Sequence, residues 1–177
     1  MRGYNVRGQI WVETVIYTLI GLAIIGLVLA GALPKINEKK DEIMIEQSIQ
    51  SLGNIGNKIL EVKEKGIGNR RVVDLKIEKG AIIIDMDGDS VSWVLDSSFA
   101  YSEVGVPVSL GKMKVTTSGK SGAWEVELKS EYGVDIRYGE GESGTKRLEP
   151  AATSYKFSIE NVGKNGDGES VIELNAV

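Results

Sequence analysis

The stretch VRGQIWVETVIYTLIGL, residues 6–22, decides how this chain is read. Arg7 and Gly8 run directly into an apolar segment that carries one acid, Glu13, near its start. Residues 14–33 contain no charged side chain. Twenty residues of helix rise roughly 30 Å, about one bilayer hydrocarbon core. Leu, Ile, Val, Ala and Gly dominate the segment, so a membrane-spanning helix is expected. Glu13 then needs a reason. An ionised carboxylate at the centre of a membrane helix costs about 2.5–3.5 kcal/mol on insertion scales. Near the interface the side chain can snorkel and the cost falls.

Three processing schemes fit these residues. The segment is a signal-anchor that stays in the membrane and keeps Met1. Alternatively it is a secretory signal peptide: Arg2 and Arg7 supply a basic start and Ala30-Gly31-Ala32 an A-x-A cleavage site. The apolar run is long for that, and an acid at its head is unusual. In the third scheme a short basic leader is removed ahead of the apolar segment, which the mature chain keeps. The junction favours this one. RGQIWVETVIY resembles the class III signal peptide of archaeal type IV pilin-like proteins over roughly residues 1–60. In that pattern Gly8 ends the leader, Gln9 begins the mature chain, and Glu13 is its fifth residue. Trp11 departs from the pattern, where a small residue is more common.

The resemblance implies a set of roles. Arg7, Gly8 and Gln9 form the cleavage site of a prepilin peptidase, an aspartic protease in that family. Glu13 pairs with the new α-amine, commonly that of a neighbouring subunit, and sets axial register. A pilus assembly ATPase and a membrane platform protein act on the anchored subunit, whose N-terminus is inside and whose remainder is outside. The residues themselves leave two accounts of Glu13 open. It is either an interfacial acid that complements the helix dipole, worth about 0.3–1 kcal/mol, or half of a buried ion pair. Such a pair adds little net stability, but either member alone is costly. Gly21, Gly26, Ala30 and Gly31 suit close helix packing, although glycine is also simply common in membrane helices.

Beyond Pro34 the apolar residues fall at 45, 49, 52, 55, 59 and 62, a helical stripe. Pro34 permits a kink without ending the helix. One helix from about Gln9 to Lys65 is expected, with its second half amphipathic and docked on the domain C-terminal to it. From Arg70 the period becomes two. RRVVDL, AIIIDM and SVSWVL are followed by VPVSL, KMKVTT, AWEVEL, VDIRY, YKFSI and VIEL. TSGKSG, GEGESG and GKNGDGE read as loops, and Asp87-Gly88 as a hairpin turn. Seven to nine short strands at this spacing suggest an antiparallel sandwich-like sheet. Trp93, Trp124, Phe157 and Ile159 are expected core anchors.

Composition limits the chemistry. Cysteine and histidine are absent, so disulfides, thiolate nucleophiles and Cys/His zinc sites are excluded. A net charge of −4 does not suit a nucleic-acid partner. DMDGDS, residues 85–90, has the wrong glycine position for an EF-hand and reads as an acidic turn. GEGESGTKR lacks the P-loop spacing. Neither an enzymatic role nor a cofactor is expected.

The expected whole is an α+β protein: a leader over 1–8, a helix over 9–65 with its apolar segment at 14–33, and a β-rich extracellular head over 66–177. Its expected role is that of a pilin in a homo-oligomeric surface filament, membrane-anchored before assembly. The alternatives are a minor pilin or anchored surface protein whose β domain binds a ligand or surface, and a secreted protein cut after Ala32.

Overall fold

The computed structural model describes residues 6–176, with side chains from Trp11 onward. Residues 1–5 of the expected leader lie outside the described residues, as do the side chains of Arg7, Gly8 and Gln9. The chain is α+β: among the described residues one long helix, α1 (Val6–Lys65), is followed by ten strands. It divides into two compact units, one ending at Lys40 and one beginning at Asp41. The amphipathic half of α1 therefore belongs to the same compact body as the strands.

Among the described residues α1 is already helical at Val6, and it continues through Pro34. Its end is defined locally. Lys63 and Lys65 place positive charge on the last turn. Gly66 follows at φ 85°, and its amide donates to the Val62 and Lys63 carbonyls. That left-handed cap suits a residue without Cβ. The Asn69 side-chain amide then donates to the Lys65 carbonyl at 2.8 Å.

The strands are β1 (Arg70–Leu75), β2 (Ala81–Asp85), β3 (Ser90–Ser97), β4 (Val108–Leu110), β5 (Met113–Lys120), β6 (Ala123–Glu131), β7 (Asp135–Tyr138), β8 (Thr145–Leu148), β9 (Tyr155–Lys164) and β10 (Ser170–Ala176). They form a four-stranded sheet, β1-β9-β10-β7, and a six-stranded sheet, β4-β5-β6-β3-β2-β8. All pairings are antiparallel except β10 with β7. One buried cluster takes Ile45, Leu52, Ile55, Ile59 and Val62 from α1 and apolar side chains from both sheets. The predicted stripe is thus the helix's contribution to the core, with Ile49 half-buried at its margin.

Four strand-level expectations are corrected. Among the described residues there are ten strands, because TKRL, to which no strand was assigned, forms β8. Three of its four residues are exposed on a sheet edge, so alternation is not visible in the sequence. TSGK belongs to β5, leaving Ser121-Gly122 as the turn. The Asp87-Gly88 turn is a four-residue loop, 86–89, between the paired Asp85 and Ser90. Trp93, Phe157 and Ile159 are buried, but Trp124 is only half-buried, at the start of β6 beside the turn.

Two tertiary fits join helix to sheet. Asn161, 2 % exposed, sits at the bulge of β9 opposite β10. Its side-chain amide donates to the Val62 carbonyl at 3.2 Å, while its backbone exchanges hydrogen bonds with Gly68 and Asn69. Gly56 gives way to Tyr132, since a Cβ there would lie 2.7 Å from the ring. The buried Tyr132 phenol oxygen has no hydrogen-bond partner among the described residues. Burial pushes this phenol above its ordinary pKa, and the Ser130 side chain acts less strongly the other way without meeting hydrogen-bond geometry. Tyr132→Phe should therefore hold or raise stability, by up to about 1 kcal/mol, because it removes an unsatisfied buried group. Gly56→Ala should lower stability by about 1–3 kcal/mol through overpacking, despite alanine's better helix propensity. Denaturant unfolding monitored by tryptophan fluorescence checks both.

Candidate functional site

The residues singled out in the sequence lie on the first part of α1, which is described by itself. Its apolar window has no side chain buried, and it is long and apolar enough to cross a membrane. Trp11 is 74 % exposed and Leu27 75 %. Large apolar side chains at 12, 15, 16, 19, 20, 22, 24, 25, 28, 29 and 33 are exposed around the whole circumference. A soluble helix would keep one apolar stripe and a polar face. A helix apolar on every side requires cover from lipid or from other helices. Membrane anchors and signal sequences share that property.

Gly21, Gly26 and Gly31 each have open space where a side chain would point, and Ala30 is exposed beside them. Spaced five apart, these glycines lie on different sides of the helix, and among the described residues nothing packs where their side chains would point. Glu13 is exposed and accepts a hydrogen bond from the Tyr17 phenol, one turn on, at 3.3 Å. The Thr18 hydroxyl donates to the Thr14 carbonyl at 2.9 Å, a local bond that satisfies a hydroxyl within the helix. Sequence reasoning singled out Glu13 but missed Tyr17. The i,i+4 spacing that joins them was available as a signal.

In the second unit, Asp41 ties α1 to the residues just before β2 and just after β3. It pairs with the Lys79 ammonium through one oxygen. Its other oxygen accepts from the Ser98 amide and hydroxyl, each at 2.7 Å. Burial is the largest single influence and opposes ionisation. Lys79 and Ser98 together outweigh it and hold the carboxyl below its ordinary value. Glu61, held by Lys58 and Arg71 at the junction of α1 with β1, is lowered to about 2.

Both folded pKa values are depressed, so the stabilisation is present above the unfolded values of 3.8 and 4.5. It is lost as pH falls below them. The melting temperature of the head should decline from pH 4.5 toward about 2, and Asp41→Asn should flatten the part below 3.8. Acid-pH thermal unfolding of both proteins measures this. An unchanged slope in the variant would discount the Asp41 contacts.

The acidic turn DMDGDS is built from backbone contacts. Asp85 accepts from the Gly88 amide at 3.1 Å, Asp87 from Gly144 at 3.1 Å, and Asp89 from Ile136 at 2.9 Å. Asp89 itself takes φ 47°. Asp89 ties this turn to β7 and Asp87 ties it to the approach of β8, while the Asp85 carboxylate closes the turn itself. In GKNGDGE the Asn165 side-chain oxygen similarly accepts from the Asp167 and Glu169 amides. Among the described residues no three acidic, His or Cys side chains gather in a geometry that would hold a metal ion.

The first part of α1 is an exposed apolar helix with one carboxyl at its head. No protein-family model, no curated protein and no solved structure matches the chain.

Proposed function

We propose that the chain is a pilin-like structural subunit, held in a membrane by its N-terminal helix and then assembled with copies of itself into a surface filament. One observation supports this above the others: residues 14–33 are apolar and exposed on every side, and Glu13 stands at their head. Lipid covers such a helix before assembly, and helices of other subunits cover it afterwards. Gly21, Gly26, Ala30 and Gly31 would let those helices approach closely. Cleavage after Gly8 would expose a positive amine on Gln9, one turn from a carboxylate able to neutralise it. The prepilin peptidase, assembly ATPase and platform protein are the partners this reading requires.

The mature N-terminus is the test. Mass spectrometry of protein from cell envelopes should find Gln9. Met1 would instead make the chain a simple anchor, and Leu33 a secreted protein; either result overturns the filament reading.

A specific feature of the head favours a second reading, that of a minor pilin or anchored protein with a binding head. Val104, Val106, Val108 and Leu110 occupy alternate positions on and before the edge strand β4, and all are exposed. Exposed apolar side chains on a sheet edge suit contact with another surface. Purified filaments separate the two readings. A main component by mass fits the structural subunit, and a trace component fits the binding head.

A further inference from the structure

We infer that Tyr17 is a positioning residue for Glu13, holding its carboxyl while the subunit is alone in the membrane. Three observations carry this. First, Glu13 stands where the charge-free segment begins, so its carboxyl borders a medium that offers few hydrogen-bond donors. Second, the Tyr17 phenol donates to Oε1 of Glu13 at 3.3 Å. Among the described residues it is the polar group that reaches this side chain. Third, Tyr17 is itself 65 % exposed. Its hydroxyl therefore has no role inside the chain other than this contact among the described residues.

Residues four apart share a helix face, so phenol and carboxyl form a unit along one flank rather than around the axis. A phenol suits the task. It is neutral, enters the interfacial region readily, and carries its donor at the end of a rigid apolar ring. The bond satisfies the carboxyl without consuming its negative charge, which stays available to a cation arriving from a second copy. A lysine at this position would neutralise the charge in advance, and a leucine would leave the carboxyl without a donor. The use of this geometry in assembly rests on the pilin-like reading; the pairing of the two side chains in lipid does not.

The experiment has two arms. In the first, the full chain is reconstituted in phosphatidylcholine vesicles, dilute enough to keep copies apart. The tyrosine Fermi-doublet ratio in Raman spectra reports whether a phenol is a hydrogen-bond donor. Subtracting the Tyr17→Phe spectrum isolates Tyr17 from the other tyrosines. A donor signature is expected in the parent protein, retained in Glu13→Gln, whose amide oxygen still accepts, and lost in Glu13→Ala. The same Tyr17 signature with and without an acceptor at position 13 overturns the inference. In the second arm, Tyr17→Phe should lower filament yield at least threefold while leader removal proceeds normally. Equal yield overturns the positioning role. Should the parent protein form no filament, the pilin-like reading fails, and the vesicle spectra still decide the pairing.

Discussion

Glu13→Ala should leave the N-terminus at Gln9 and reduce filament yield by well over about tenfold, because stranding one member of a buried charge pair costs roughly 3–5 kcal/mol. In the proposed pilin-like reading the cut falls after Gly8, so this substitution leaves the junction Arg7-Gly8-Gln9 intact. What the variant loses is the partner for the newly made amine. In a packed helical bundle that amine would then be both desolvated and unpaired.

Glu13→Gln sharpens the result. It keeps the length and an acceptor for Tyr17 but removes the charge. The paired-charge account requires it to fail nearly as badly as alanine. An acid that merely complements the helix dipole contributes only about 0.3–1 kcal/mol, and its loss would lower yield severalfold at most. Sheared filament mass, together with mass spectrometry of the membrane-bound pool, measures assembly and cleavage separately. Normal filaments from both variants would remove Glu13 from the mechanism.

Gly80→Ala is expected to be the most damaging small substitution in the head, costing more than about 3 kcal/mol from a combination of left-handed backbone strain and a steric clash. Gly80 precedes β2 at φ 79°. A Cβ there would stand 2.2 Å from the Val94 carbonyl oxygen and 2.7 Å from the Leu95 Cβ. Backbone cannot swing aside as a side chain can, so the Ala81–Val94 pair would have to part. The disturbance reaches the core directly, because Trp93 donates from its indole nitrogen to the Lys79 carbonyl at 3.0 Å. Gly53→Ala is the control. It has open space around it within α1 and should be neutral or stabilising by up to about 1 kcal/mol. Thermal unfolding should show a marked drop for Gly80→Ala and none for Gly53→Ala. A Gly80→Ala protein that melts like the parent would show that the strands adjust more freely than close packing implies.

Much of the fold could be seen in the linear chain, for reasons that differ between segments. Residues 14–33 announce a membrane-grade helix because cover is needed on every side, and composition alone records that. The stripe from Ile45 to Val62 announces a docked helix because burial selects one face at the helical period. Val73 and Leu75, or Ile82 and Ile84, mark strands by the same logic at period two. TKRL escapes because an edge strand with a single buried residue leaves no alternation to detect. Trp124 was overrated because size suggests burial, yet its place at the start of β6 leaves it only half covered. At the candidate site, Glu13 stood out as an isolated acid, whereas Tyr17 was not singled out, because only the placement of its hydroxyl joins it to that acid.

What sequence by itself determined is the set of local decisions. These are the extent of α1, the apolar character of its first half, the face its second half buries, and most of the β segments. Each depends on residues within a few positions of one another. Tertiary structure alone decided how the strands divide between two sheets, that β7 joins β10 in parallel, and that Gly56 makes room for Tyr132. It also placed Asn161 against the end of the helix, 99 residues away along the chain. Those outcomes depend on which distant surfaces fill one another's space and satisfy one another's backbone groups, and no short window of sequence carries that information.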